Sequence, residues 1–509
     1  MTFIDNFLNR VTMYRLVLYY LLVLLVAAAA FGSFGLLPYS PVDLAFSTLL
    51  ILMTCWIVNF AFAKGFGAMP NTESVYITGL ILTLIINPVA PTNYAGFGFL
   101  IFAAAWAMAS KYIFAIGNKH IFNPAAFGVV LGTFVLNQSA TWWVAGNIPL
   151  LFFVLFGGLL IVRKIHRFDL VLSFSVVALL TVILTSNGSN PLIAIMQTFI
   201  HSPFFFLAFV MLTEPLTMPP SRSLRILYGA IVGFFFAPNI HLGSFYFAPE
   251  TALLVGNIFS YLASPKGRFI LTLVARNKLA NGIYEFVFRP DRPVIFRPGQ
   301  YIEWTLGHRL ADNRGNRRYF TIASSPTETD GFIRLGVKFY ESQSSFKRAL
   351  GMMRMHDTIS ASHVAGDFVL PKNKTDKLAF IAGGIGVTPF RSMVQYLVDT
   401  KDTRSVTLLY SNKTASEIAY KNVFDGAARK IGMKTIYTIT GAGDELNVGS
   451  DMHIGTIDSA LIASEIPDYR ERIFYISGPH GMVEAFKNIL RNMGVSRLHI
   501  KTDYFPGFA

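Results

Sequence analysis

Three short segments in the second half of the chain carry residue types that can do chemistry. Arg318-Tyr319-Phe320-Thr321-Ile322-Ala323-Ser324-Ser325-Pro326 comes first, Gly383-Gly384-Ile385-Gly386-Val387-Thr388-Pro389 second and Ser477-Gly478-Pro479 third. On an extended strand Arg318 and Phe320 share a face, because side chains alternate with a period of two. The guanidinium is then a fork-shaped donor for a pyrophosphate, and the ring beside it packs on a flat cofactor. Arg317 adds charge. The glycines follow the apolar run Leu378 to Ala382 and precede a helix-like stretch from Phe390 to Val398. Glycines at such a turn let the backbone approach a dinucleotide pyrophosphate at a helix N-terminus. A glycine cluster alone also reads as a plain turn. The three segments in this order make a far more specific signal than the glycines alone.

Together they resemble the ferredoxin-NADP reductase superfamily over Lys266 to Ala509. The resemblance implies an antiparallel β-barrel FAD domain at residues 265–371 and an α/β, parallel-sheet NAD(P) domain at residues 372–509. It implies that Arg318, Tyr319, Phe320 and Thr321 touch FAD, with Val337, Lys338, Ser344 and Ser345 completing the cleft. Gly383, Gly384, Gly386, Thr388 and Pro389 would cradle the nicotinamide nucleotide, closed by Gly478 and Pro479. Thr321, Ser477 and Asp503 are the catalytic candidates. Two positions depart from the family pattern: Ser477 stands where Cys is usual, and Ser344-Ser345-Phe346-Lys347 replaces a segment usually flanked by Gly and Ser. Beyond the strand Val406 to Tyr410, NAD-specific sites place a carboxylate on the ribose. Here Ser411-Asn412-Lys413 offers hydroxyl and ammonium donors suited to a 2′-phosphate, favouring NADPH over NADH.

The elements that must hold these residues occupy only half the chain. With 53% apolar residues over 509 positions, the sequence is too long and too apolar for one soluble domain. The apolar material is concentrated before residue 264. The one cysteine, Cys55, excludes an internal disulfide and a thiolate-bound iron–sulfur cluster, and its apolar surroundings make it a small buried hydrophobe. No metal ligand set is read. The net charge of +14 lacks a basic stripe interleaved with aromatics, so nucleic acid is not an expected partner.

Hydropathy predicts a multi-pass α-helical membrane domain over residues 1–264, with about ten spans near 14–37, 42–63, 72–89, 94–116, 121–137, 147–163, 168–186, 192–213, 223–237 and 248–264. All 12 Lys and Arg of residues 1–268 then fall in or beside segments facing one side. The positive-inside rule makes that side the cytoplasm. Both termini are expected there, in a protein of the cell membrane whose first apolar segment is a retained helix rather than a cleaved signal.

Asn87-Pro88, Asn123-Pro124 and Thr213-Glu214-Pro215 interrupt or end apolar spans. Freed backbone groups there need protein or a ligand to satisfy them, although plain helix ends at the interface are the alternative. Over residues 40 to 262 these segments are similar to the membrane flavin subunits of the Rnf and Nqr ion-pumping redox complexes. That family joins FMN by a phosphoester to a Thr in an outward loop, which a flavin transferase attaches. Asn137-Gln138-Ser139-Ala140-Thr141-Trp142-Trp143 lies at the corresponding place, making Thr141 the covalent FMN candidate, although Gln138 and Trp142 depart from the motif. The competing expectation is an idle Thr141 beside two tryptophans anchored in the aromatic belt. A relay is also expected, a second non-covalent flavin or a quinone near Asn123, Pro124, Thr213 and Glu214.

The sequence thus predicts a single-chain conduit carrying electrons from cytosolic NAD(P)H through FAD and FMN to a quinone or extracytoplasmic acceptor. The alternatives are a redox-driven sodium transporter, a haem-type NADPH oxidase or ferric reductase, and a membrane-tethered flavin reductase. Haem needs paired His on facing helices, and the four in the first half, His120, His166, His201 and His241, do not repeat on one helix.

Overall fold

The computed structural model describes residues 4, 7–8, 11–67, 72–116, 119–186, 190–264, 268–308, 316–341, 343–441 and 452–505. The chain divides into two units, Met1–Ser264 and Pro265–Ala509.

The first unit is helical: α1 (Met13–Ser33), α2 (Pro41–Gly65), α3 (Thr72–Ile85), α4 (Tyr94–Ile113), α5 (Pro124–Leu136), α6 (Ile148–Ile165), α7 (Phe168–Thr185), α8 (Pro191–His201), α9 (Phe204–Phe206, running on as the π-helical turn Leu207–Met211), α10 (Arg222–Phe236) and α11 (Pro249–Ala263). Two small hairpins join helices, β1 (Ala115–Ile116) with β2 (Lys119–His120) and β3 (His241–Leu242) with β4 (Phe245–Tyr246). Each expected span contains helix, yet among the described residues only five helices, α1, α2, α4, α6 and α7, are long and apolar enough to cross a membrane. A sixth is added if α8 and α9 with its π turn, bent by 65°, make one span. The reason for the shortfall is local. α3, with 14 residues, stops ahead of Asn87-Pro88, and α5, with 13, begins at Pro124. At about 1.5 Å per residue neither reaches the ~30 Å of a hydrocarbon core.

The break after α3 is closed by the loop that carries Thr141. A helix leaves its last four carbonyls without partners. Thr141 and Trp142 backbone N–H donate to the Ile85 carbonyl at 3.0 and 2.9 Å, and Val144 N–H to that of Leu84 at 3.4 Å. Trp143 Nε1 bridges the carbonyls of Thr83 and Ile86, each at 3.0 Å. Ser47 satisfies both backbone groups of Val89 beyond the proline.

The second unit holds two six-stranded sheets. The antiparallel one has the order β8-β7-β10-β5-β6-β9 and comprises β5 (Arg268–Ala280), β6 (Ile283–Pro290), β7 (Tyr301–Thr305), β8 (Arg317–Thr321), β9 (Ile333–Lys338) and β10 (Thr358–Ala365), with α12 (Ser345–Gly351) beside them. Its two edge strands are drawn together just past β8, where Ala323 N–H donates to the Arg334 carbonyl at 2.9 Å. Phe286, Phe288 and Trp304 fill its interior with Phe346 of α12.

The parallel sheet has the order β14-β13-β12-β11-β15-β16, from β11 (Leu378–Gly383), β12 (Val406–Asn412), β13 (Lys434–Ile439), β14 (Met452–Ile454), β15 (Ile473–Pro479) and β16 (Ile500–Phe505). Helices α13 (Thr388–Asp399) and α14 (Lys421–Ile431) cover one face, and α15 (Ser459–Glu465) and α16 (His480–Asn492) the other. β11 shows why both faces are apolar: Leu378, Phe380 and Ala382 pack with Phe390 and Phe424, whereas Ala379 and Ile381 pack with Ile462 and Val483. Strand order reverses between β11 and β15. Open α/β sheets bind ligands in the crevice at such a reversal, at the carboxyl ends of the strands.

Candidate functional site

The candidate residues of the parallel sheet lie at or just beyond the carboxyl ends of β11, β12, β15 and β16. Register pairs Gly383 with Ser411, Ala382 with Ser477 and Ser477 with Asp503, so a row of polar groups and glycines crosses the strand ends. Gly384 has φ +53° and open space where a Cβ would stand. A Cβ on Gly386 would sit 2.5 Å from the Ser477 carbonyl oxygen and 2.6 Å from the Gly478 Cα, so only glycine allows this turn to nest against β15. Thr388 and Pro389 open α13, where the helix N-terminus suits an anion. Pro479 likewise precedes α16. Ser477 Oγ is buried with no hydrogen-bond partner, an arrangement that costs free energy unless a ligand uses it. Burial pushes the Asp503 carboxyl up to about 6. Lys413 is exposed, and its carbonyl accepts the Gly441 N–H at 2.8 Å.

On the antiparallel sheet the predicted face holds. Arg318 lies over the Phe346 ring at 5.4 Å, and the Phe320 ring is 5.8 Å from that of Phe346. Tyr319 points the other way, donating to its cross-strand neighbour Glu303 at 2.7 Å. Thr321 is buried at the strand end. Ser344 caps α12 by accepting the Lys347 N–H at 3.3 Å. Val337 is a core side chain, and Lys338 is held by Glu417 at 2.9 Å, so each has a structural task. Next to Val337, a Cβ on Gly336 would meet Thr388 Cγ2 at 2.8 Å, so β9 packs tightly on the glycine turn.

One neighbour escaped sequence reasoning. His308 lies 2.8 Å from the Leu306 carbonyl through Nδ1 and 2.9 Å from Ser345 Oγ through Nε2. With Nδ1 donating to the carbonyl, Nε2 of a neutral ring accepts the serine hydroxyl. No motif signals this contact, because it joins residues far apart in sequence.

The oxidoreductase NAD-binding domain family matches residues 380–488. The C-terminal unit is ferredoxin-NADP reductase-like. This reductase unit is 26% identical over 222 residues to the glycine betaine monooxygenase reductase subunit of Chromohalobacter salexigens, covering 43% of this chain and 59% of the relative. It is 29% identical over 238 residues to a flavohemoprotein of Pseudomonas putida, covering 46% and 58%. The chain therefore spans less than two thirds of the length of these relatives. Among solved structures, the FAD/NAD-binding domain of a nitric oxide dioxygenase from Vibrio cholerae covers 47% of this chain and 99% of its own, at 19% identity and a TM-score of 0.42.

In the first unit, Asn123, Thr213 and Glu214 come together. Glu214 Oε1 is 2.9 Å from His120 Nε2, and Oε2 accepts Asn123 Nδ2 at 2.8 Å. Asn123 caps α5 by accepting the Ala126 N–H on Oδ1, and its own backbone N–H donates to Asn257 Oδ1 at 2.7 Å. Asn257 continues the chain to Tyr228 at 3.0 Å. Thr213 lies just beyond the π-helical turn and donates back to the Phe209 carbonyl at 2.7 Å. Thr141 is exposed, and its hydroxyl donates to Asn87 Oδ1 at 2.7 Å. Trp142 and Trp143 are not belt anchors: both are buried, and Trp142 Nε1 donates to the buried Glu250 at 2.9 Å.

Proposed function

We propose that the chain is an NAD(P)H-dependent flavin oxidoreductase in which one polypeptide carries electrons across a membrane, from cytosolic NADPH through FAD and FMN to a quinone or extracytoplasmic acceptor. The observation that carries the reading is the buried, unpaired Ser477 hydroxyl at the sheet crevice beside the open backbone of Gly384. The flavin, when bound, supplies the conversion between two-electron and one-electron transfer. The remaining tasks fall to this chain's residues. Arg318 would pair with the pyrophosphate, Phe320 would pack along the cofactor, and Thr321 would offer its hydroxyl to the flavin. Gly383, Gly384 and Gly386 would admit the nucleotide at the α13 N-terminus, and Ser477 would offer its hydroxyl to the nicotinamide. Lys413 meets the 2′-phosphate of NADPH.

Thr141 fits as the point of FMN attachment because its hydroxyl is exposed while its backbone is pinned to the end of α3. A flavin transferase would form the phosphoester. A relay ligand near Asn123 and Glu214 would have to sit beside these groups, since they already bond one another. The five long apolar helices support a membrane location, and the basic residues support cytoplasmic termini.

Liposomes holding the purified protein and a trapped acceptor test the reading. External NADPH should reduce the trapped acceptor in the unmodified protein. Thr141→Ala should abolish that transfer and the flavin fluorescence on a denaturing gel, while reduction of an external dye persists. Failure of trans-bilayer reduction in the flavin-loaded protein would leave a tethered reductase. An accompanying sodium gradient would point to a pump.

A further inference from the structure

Helix α13 leaves the glycine turn and sends two side chains back to the strand end beyond Thr321. Arg391 donates to the Ala323 carbonyl at 3.0 Å, and Ser392 Oγ to the Ser324 carbonyl at 2.6 Å. Both residues are buried, at 7% and 0% exposure. Arg391 also pairs with Glu328 at 2.7 Å and stands over the Tyr420 ring at 5.8 Å. Glu328 in turn accepts the Ser325 N–H at 3.0 Å and lies 3.5 Å from Arg334. From the opposite side, Arg334 N–H donates to Ser324 Oγ at 3.2 Å. Residues 323–325 are therefore gripped by β9 on one side and α13 on the other.

We infer that Arg391 and Ser392 are positioning residues for hydride transfer, setting the separation between the glycine turn and the Thr321 strand end. The inference rests on the proposed function, in which those two places hold nicotinamide and flavin. The physical reason is the short rigid linkage on each side. Arg391 lies three residues after Thr388 on the first turn of α13, and Ala323 lies two after Thr321. A shift at the Arg391 contact therefore moves the turn relative to the strand with little slack. A purely stabilising contact could sit anywhere along the boundary between the two sheets. This one joins the first turn of the nucleotide helix to the end of the flavin strand. In the hydride step the nicotinamide loses two electrons with a hydrogen and the flavin gains them. Its rate demands reacting atoms about 3–3.5 Å apart, and a misplacement of about 1 Å costs on the order of a hundredfold.

Rapid mixing of the full-length, FAD-loaded protein with NADPH, following flavin bleaching over a range of nucleotide concentrations, separates the limiting rate from the nucleotide Kd. Arg391→Met should lower the limiting rate roughly tenfold or more, with Kd and FAD content changed much less. Arg391→Lys, which keeps the charge facing Glu328 but loses the guanidinium fork, should recover part of the rate. Ser392→Ala should lower the rate by a smaller factor, and it keeps the test decisive if Arg391→Met does not fold. Unchanged limiting rates in Ser392→Ala and Arg391→Lys overturn the inference. So does a parallel loss of rate, Kd and FAD content, which marks a stabilising role alone. If neither NADPH nor NADH bleaches the flavin of the unmodified protein, the proposed function fails instead, and the two failures are thereby distinguished.

Discussion

Two polar settings in this chain, one half-buried and one fully buried, obey opposite rules. Around Glu214, both carboxylate oxygens have partners, as do the Asn123 side chain and the Asn257 amide. At the end of β15, Ser477 Oγ has none. A buried network whose members satisfy one another holds its own elements in place, and removing one member leaves the others desolvated and unpaired. A buried hydroxyl without a partner does the reverse. It costs stability in the free protein and gains its bond when something enters the crevice. The difference separates a site that braces broken helices from a site prepared for a ligand.

The largest effect should come from breaking the braced site. Glu214→Leu leaves the His120 ring and Asn123 Nδ2 without this acceptor, and a loss of about 1–3 kcal/mol for each of the two groups is expected, read as thermal unfolding of the first unit in detergent. A loss below ~1 kcal/mol would show that the network does not brace the helices.

Arg318→Ala removes a charge-assisted donor to the cofactor pyrophosphate. FAD affinity should weaken by about 1.5–3 kcal/mol, measured as flavin released on dilution. Full FAD retention would place the pyrophosphate elsewhere.

Ser477→Ala sharpens the comparison, because its sign differs from that of Glu214→Leu. Stability should stay level or rise by about 1 kcal/mol as an unpaired hydroxyl is removed, while flavin reduction by NADPH slows. A clear drop in the melting temperature would mean that the hydroxyl is partnered in the free protein.

The smallest effect concerns pH. Burial raises the Asp503 carboxyl from 3.8 to about 6. The folded state therefore keeps a proton that the unfolded chain releases, so the stability contributed by that proton is present below about pH 4 and is lost as pH rises through 6. Asp503→Asn should flatten the stability of the reductase unit across this window. An unchanged pH profile would assign the slope to other groups.

The strand bearing Arg318 and Phe320 was legible because a period of two needs no tertiary information. Both side chains meet Phe346 as that period demands. The glycine turn was legible too, since an apolar run, Gly-rich residues and Thr-Pro spell strand, turn and helix start in order. Lys338 and Val337 were harder. Proximity to a motif does not tell whether a side chain faces a ligand, a neighbouring carboxylate or the core. Span lengths fell between these cases, for hydropathy located each apolar segment but could not show that α3 stops short of Asn87-Pro88 and hands its carbonyls to residues 141–144.

The sequence by itself determined which groups exist and which local geometry each prefers: where helices start at Pro, where glycine is required, and which strand face carries charge. Those preferences depend on backbone sterics and on neighbours a few residues away. Only the tertiary structure decided how distant groups pair. It bound Glu214 to His120 and Asn123, set Arg391 against Ala323, and left Ser477 alone. Such pairings depend on which elements pack together. Hydrogen bonds act over about 3 Å, and sequence separation carries no information at that distance.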